Sequence, residues 1–206
     1  LMLLSGTVQK YDLSTVEIIA YGAEAMPQKV LKRLAKAFPN AQLQQKFGTS
    51  ETGAIRIKSI DNESLFFRIK DSDTKWKIVE EELWLKTPSR VVGYLNADDA
   101  GLEADGWYRT GDLVEIDEHD NLRIIGRASA VINVGGQKVH PSEVEAIIGE
   151  IEGIETVNIY AMEAPVTGSA VACEIVVSGD EGSRVWKRII RNHCRGKLAP
   201  WKIPSS

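Results

Sequence analysis

The chain has 206 residues, 43% of them hydrophobic and 26% charged, with a formal net charge of −4. This composition suits a globular protein of one large domain or two small ones. The acidic balance leaves no basic footprint for nucleic acid, and no apolar run approaches the length of a membrane span. Two cysteines, Cys173 and Cys194, make no disulfide framework and read as small apolar residues of a reducing compartment, which points to the cytoplasm. His119, His140 and His193 are scattered and have no metal-ligand spacing with the cysteines.

In chain order, an opening on Leu1-Met2-Leu3-Leu4 that soon reaches a strand is expected of a piece cut from something longer. Residues 16–21 read as a short buried strand closed by Gly22. Pro27 then opens a helix, where its missing N–H costs nothing, and Val30, Leu31, Leu34, Ala35 and Phe38 share one face. Lys29, Lys32, Arg33 and Lys36 fall largely on its solvated side. A Gly/Thr/Ser loop, Phe47-Gly48-Thr49-Ser50-Glu51-Thr52-Gly53, leads into short strands at 65–69, 76–79 and 82–86. Leu113–Ile116 and Leu122–Ile125 flank Asp117-Glu118-His119-Asp120-Asn121 as a hairpin. This middle region reads as β-rich and mostly antiparallel.

After Arg127 the pattern changes. Val131–Val134 and Lys138-Val139 form a hairpin about Gly135-Gly136, and Pro141 opens a helix with Ser142 and Glu145 in capping-box register. Val144, Ile147, Ile148 and Ile151 make its buried face. Strands at 157–161 and 170–177 precede a helix after Ser183 carrying Val185, Trp186, Ile189, Ile190 and Cys194. Strand, helix, strand, strand, helix is a small α+β unit with its own core, so a boundary is expected near Ala128-Ser129.

The polar punctuation is densest at Gly106-Trp107-Tyr108-Arg109-Thr110-Gly111-Asp112, followed by Gly126-Arg127. Asp112 ends a Thr-Gly turn ahead of an apolar strand. A carboxylate there suits the two hydroxyls of a ribose, and equally suits a solvated turn.

With Tyr21-Gly22-Ala23-Glu24-Ala25-Met26-Pro27, Phe47-Gly48-Thr49-Ser50-Glu51 and Ile132-Asn133-Val134-Gly135-Gly136-Gln137-Lys138-Val139-His140-Pro141, these motifs occur in an order that resembles the adenylate-forming superfamily. That superfamily comprises acyl- and aryl-CoA synthetases, adenylation domains and luciferases, and the resemblance runs from about Leu13 to Pro204. It implies a mixed α/β and α+β fold. Residues 1–127 would be the C-terminal portion of the large AMP-binding domain, a βα unit plus an antiparallel β subdomain. Residues 128–206 would be the small α+β lid domain. By the same resemblance Gly22, Ala23 and Glu24 flank adenine, Phe47 stacks on it, and Gly48, Thr49 and Ser50 face the α-phosphate. Glu51 ligates Mg²⁺, Asp112 takes the ribose hydroxyls, and Arg127 reaches the nucleotide. Ser129 is the hinge, and Gly135, Gly136 and Lys138 admit a pantetheine arm.

The implied reaction joins an organic acid to ATP, giving an acyl-adenylate and pyrophosphate, and passes the acyl group to the thiol of coenzyme A or a carrier protein. Four departures stand out: Phe47 for the usual Tyr, Ser50 for the usual Thr, Ser129 for the usual Asp or Lys, and Glu81-Glu82 for the usual Gly-Glu. The family's phosphate loop is absent from these residues. Lys202-Ile203-Pro204 matches the segment that precedes the family's adenylation lysine, so Lys202 is not that lysine. The chain is therefore expected to be inactive in adenylation by itself. The alternative is a non-catalytic AMP-binding or interaction module derived from the family.

Overall fold

A strand, a proline and then an amphipathic run make a βα unit, and the first elements are that unit. The computed structural model describes residues 3, 7–22, 26–96, 98–179 and 181–205, and the chain divides into two compact units, Leu1–Ile124 and Ile125–Ser206. In the first, a short α1 (Thr7–Lys10) precedes β1 (Ile18–Tyr21), α2 (Gln28–Ala37) and β2 (Gln42–Gln45). β1 and β2 are parallel, with Ile18 opposite Gln42 and Tyr21 opposite Gln45. The Pro27 carbonyl accepts the N–H groups of Val30 and Leu31, which starts the helix. α2 buries Leu31 and Leu34, and these pack with Tyr21, Phe38, Ala41 and Leu43.

The loop expected at 47–53 is a hairpin. β3 (Phe47–Thr49) pairs antiparallel with β4 (Gly53–Ile55). A six-stranded sheet follows, built from β5 (Ile57–Ser59), β6 (Phe67–Ile69), β7 (Lys75–Val79), β8 (Glu82–Lys86), β9 (Tyr108–Ile116) and β10 (Leu122–Arg127). Its order is β5-β6-β10-β9-β8-β7. Its core is Phe67, Leu83, Leu85, Val114 and Leu122, closed by Phe47 and Ile55. β5 escapes sequence reading because Ile57-Lys58-Ser59 is too short to show an alternation. β9 is longer than the expected strand, because Thr110-Gly111-Asp112 lies inside it rather than before it.

The second unit pairs β11 (Ile132–Val134) with β12 (Gln137–Val139), then runs through α3 (Pro141–Ile148), β13 (Ile154–Ala164), β14 (Gly168–Val177) and α4 (Ser183–Cys194). β13 and β14 are antiparallel along nearly their whole length. Val139, Val144, Ile148, Ile159, Val171, Trp186, Ile190 and Cys194 are among the side chains of one core. The expected capping box does not form: α3 begins at His140 without a side-chain cap. Ser142 Oγ donates instead to the Ile125 carbonyl, and the Glu145 carboxylate accepts the Ile159 N–H at 3.0 Å. Both side chains are recruited by neighbouring strands, which outcompete the local cap. Burial pushes the Cys173 thiol up to about 11 and also raises that of Cys194, so neither is a thiolate near neutrality.

β7 and β8 are joined by two residues, Glu80 and Glu81, with φ of 50° and 69°. A two-residue hairpin turn with both φ positive matches the strand twist, but asparagine and glycine suit it and side-chain-bearing residues pay about 1 kcal/mol or more each for it. Replacing Glu80→Asn together with Glu81→Gly should raise stability by about 1 kcal/mol, read as a higher urea midpoint in tryptophan fluorescence.

Candidate functional site

Parallel β1 and β2 end side by side, and ligands of parallel units collect at such carboxyl ends. The Lys46 N–H donates to the Tyr21 carbonyl at 2.7 Å, so Gly22 lies against the start of β3. A Cβ on Gly22 would sit 2.5 Å from the Lys46 carbonyl oxygen, closer than any side chain tolerates. Glycine here is a requirement of close approach. Ala23 and Glu24, the next two residues of that predicted segment, lie outside the described residues.

The β3–β4 turn is wired by its own hydroxyls. Thr49 Oγ1 accepts the N–H groups of Glu51 and Thr52, each at 3.2 Å, and lies 3.1 Å from Thr52 Oγ1. Thr52 is fully buried and its carbonyl accepts Ser89 Oγ at 2.5 Å. Ser50 is left exposed at the tip, and Glu51 is half-buried. Phe47 is buried, with its ring 5.6 Å from that of Phe67, so most of its surface belongs to the core.

Glu51 is the centre of a polar cluster. Tyr94 Oη donates to its Oε1 at 2.7 Å, and the Val91 N–H donates to its carbonyl at 2.7 Å. The Tyr108 hydroxyl joins the same network. The hydrogen bond from Tyr94 holds the Glu51 carboxyl below its usual range, against a smaller opposing effect of burial. Tyr108 moves the other way: burial first, then the Glu51 charge, pushes its phenol well up. Tyr108 starts β9, so this network joins the β3–β4 turn to the strand that carries Asp112. The tyrosine at 94 was missed by sequence reading, because Val91-Val92-Gly93-Tyr94 lies in an irregular segment with no periodicity to mark it.

Within β9 the ladder with β8 breaks. Glu82 faces Leu113 and Trp84 faces Arg109, so two steps along β8 are matched by four along β9. Thr110-Gly111-Asp112 is a bulge opposite Leu83. Gly111 has φ of 70°, a left-handed conformation that favours glycine. Thr110 Oγ1 donates to the Leu83 carbonyl at 2.7 Å and accepts the Asp112 N–H at 3.0 Å. Glu82 Oε1 accepts the Gly111 N–H at 2.9 Å, while its Oε2 faces the Arg109 guanidinium at 3.3 Å. Asp112 is 6% exposed.

In the second unit, Arg127 closes β10, and Ser129 sits exposed in a single turn of 3₁₀ helix, Ala128–Ala130. Gly135 and Gly136 form the exposed β11–β12 turn, with the Gly136 N–H on Asn133 Oδ1 at 2.9 Å and the Gly135 N–H on the Thr167 carbonyl at 3.1 Å. Lys138 is exposed on β12. Lys202 Nζ lies 2.6 Å from Glu143 Oε2 and ties the C-terminal 3₁₀ turn to α3, which is a structural engagement.

Residues 143–206 match the family model described as the AMP-binding enzyme C-terminal domain. Acyl-CoA synthetase 7 of Caenorhabditis elegans is 29% identical over 217 residues, covering 98% of this chain and 40% of that protein. The 2-succinylbenzoate–CoA ligase of Listeria innocua is 34% identical over 172 residues, 79% of this chain and 35% of the ligase. The 4-coumarate–CoA ligase 1 of Arabidopsis thaliana is 29% identical over 198 residues, 85% of this chain and 35% of the ligase. The chain thus spans well under half the length of these relatives. Among solved structures, an anthranilate CoA ligase in complex with anthranoyl-AMP superposes with a TM-score of 0.79 at 18% identity, over 99% of this chain and 42% of that one. The amide bond synthetase McbA from Marinactinospora thermotolerans gives 0.79 at 20% identity, over 99% and 44%. At that identity the likeness is one of fold: mixed α/β with an antiparallel sheet and few helices. Among the described residues no helix is long and apolar enough to cross a membrane.

The Tyr94–Glu51 bond sets a sign for titration. A carboxyl depressed in the folded chain lends stability above its ordinary pKa, and that stability is lost as pH falls through the depressed value. Tyr94→Phe should move the Glu51 carboxyl up toward the ordinary glutamate range, as followed by carboxyl ¹³C NMR titration.

Proposed function

The chain belongs to the adenylate-forming superfamily of AMP-forming ligases, as a C-terminal part of it, and on that premise we propose that it contributes the ribose, adenine and thiol-side portions of a carboxylate–CoA ligase site. One observation carries this reading. The Glu51–Tyr94–Tyr108 network draws the β3–β4 turn and the Asp112 strand of the first unit together, and these hold the nucleotide residues predicted from sequence.

In this reading Gly22 borders adenine, as the resemblance implies also for Ala23 and Glu24, and Phe47 is a covered wall of that pocket rather than an open platform. Gly48, Thr49 and Ser50 face the α-phosphate. Thr49 does so through the backbone it organises, since its hydroxyl is engaged within the turn, and Ser50 through an exposed hydroxyl. Asp112, buried in a bulge, accepts both ribose hydroxyls, because a carboxylate offers two oxygens to a vicinal diol. Arg127 adds a cation toward the nucleotide.

Mg²⁺ fits the chemistry at Glu51, a hard oxygen ligand held ionised by phenol donors. Magnesium commonly takes one or two protein carboxylates plus phosphate and water oxygens, so Glu51 would be its protein ligand. When bound, the ion supplies charge neutralisation at the phosphates during acyl-adenylate formation.

Residues 1–127 act in this reading as part of the AMP-binding domain and residues 128–206 as the lid. Ser129 is the pivot, and Gly135, Gly136 and Lys138 line the path of a pantetheine thiol. The substrates are a carboxylic acid, ATP and coenzyme A, and the two free cysteines suit a cytoplasmic setting. Hydrogen bonds to a charged group are worth enough that Asp112→Ala should weaken AMP binding by about tenfold in calorimetric titration of the chain. Equal affinities would remove Asp112 from the site.

A further inference from the structure

The bulge in β9 carries Gly111, the residue before Asp112, out of regular register with β8, and a β8 side chain holds it there. Glu82 is the side chain with the reach. It is 8% exposed, projects from the strand facing the bulge, and splits its carboxylate between two partners. Oε1 accepts the Gly111 N–H, the peptide group immediately before Asp112. Oε2 takes the guanidinium of Arg109, which precedes the bulge and whose side chain is half exposed. A carboxylate accepting a backbone N–H is a charge-assisted bond, stronger and more directional than a neutral one. Here it holds Gly111 in the left-handed conformation that turns the chain out of the ladder.

Other contacts of the bulge act beside it. Thr110 Oγ1 fastens the bulge to the Leu83 carbonyl and caps the Asp112 N–H, and the ladder resumes with Leu113 opposite Glu82, where the Val114 N–H reaches the Glu81 carbonyl at 2.8 Å. Between those two points the Gly111 peptide is tied to β8 through Glu82. Cation–π contact of Arg109 with Trp84, at 5.6 Å from guanidinium carbon to ring centroid, keeps the arginine beside the same carboxylate.

We propose that Glu82 is a positioning residue for the nucleotide ribose: through the Gly111 N–H and Arg109 it fixes the backbone from which Asp112 presents its carboxylate. This rests on the reading of Asp112 as the ribose acceptor. Glu82 itself touches no substrate in this account. Its effect therefore belongs to the ribose hydroxyls alone, not to adenine or phosphate.

The experiment is a titration of the 206-residue chain with AMP and with 2′,3′-dideoxy-AMP. The wild-type chain should prefer AMP by about tenfold. Glu82→Ala should bring the ratio close to one by weakening AMP and leaving the dideoxy nucleotide unchanged, and the double variant with Asp112→Ala should lose nothing further. Glu82→Gln, which keeps an oxygen for the Gly111 N–H, should restore part of the preference. It also serves as the folded comparison, with circular dichroism reporting on both variants. A Glu82→Ala chain that is folded and keeps the wild-type ratio overturns the proposal. So does equal weakening of both nucleotides in both variants, the mark of a purely structural role. A wild-type chain that does not distinguish the two nucleotides overturns the ribose reading of Asp112, and this proposal with it.

Discussion

Two steps of β8 must be matched to four of β9, and the local structure around Asp112 follows from how that mismatch is absorbed. A regular ladder cannot hold surplus residues, and buried backbone groups cannot be left without partners. The composition Thr-Gly-Asp answers both demands. The threonine hydroxyl reaches across to a β8 carbonyl, the glycine takes the left-handed turn, and the aspartate follows with its own N–H already satisfied. The outcome is a carboxylate 6% exposed yet set in an irregular stretch of a sheet that is otherwise continuous. Strand on either side supplies rigidity, and the bulge supplies direction.

Acidic groups in this unit are held by contrasting means. Glu51 is anchored by tyrosine hydroxyls, which favour its ionised form without adding positive charge beside it. Glu82 is anchored by a cation and a backbone N–H. A phenol donor stabilises a carboxylate while leaving the local field negative, which suits attraction of a hard cation. A guanidinium neutralises its partner, which suits a scaffold. In the proposed reading, the acid offered to Mg²⁺ and the acid committed to architecture differ in their donors.

Much of this organisation was legible beforehand. α2 could be read from its apolar stripe and Pro27, and the β11–β12 hairpin from Gly135-Gly136, since these depend on local periodicity and turn chemistry. What failed was local logic overruled by tertiary partners. Ser142 and Glu145 have capping-box spacing, yet Ile125 and Ile159 offer them better-placed backbone groups. Thr110-Gly111-Asp112 has turn composition, yet it lies inside a strand because Leu83 and Glu82 receive it there. The candidate site was found through motif order, while its tyrosine partner at 94 lay in a segment whose meaning exists only once Glu51 stands beside it. Glu82 was noticed only for the glycine missing ahead of it.

A backbone hydrogen bond from the Gly135 N–H to the Thr167 carbonyl joins the tips of two hairpins in the second unit. Each tip is exposed, and loops at such places ordinarily accept insertions freely. Here the lengths of the two turns are correlated: a residue added between Pro165 and Gly168 would carry the Thr167 carbonyl away from the glycine tip. Variation in turn length among related sequences should therefore be restricted at the β13–β14 tip, although Val166 beside it is 95% exposed. At this tip the spacing is constrained and the side chain is free, the reverse of what surface exposure alone would suggest.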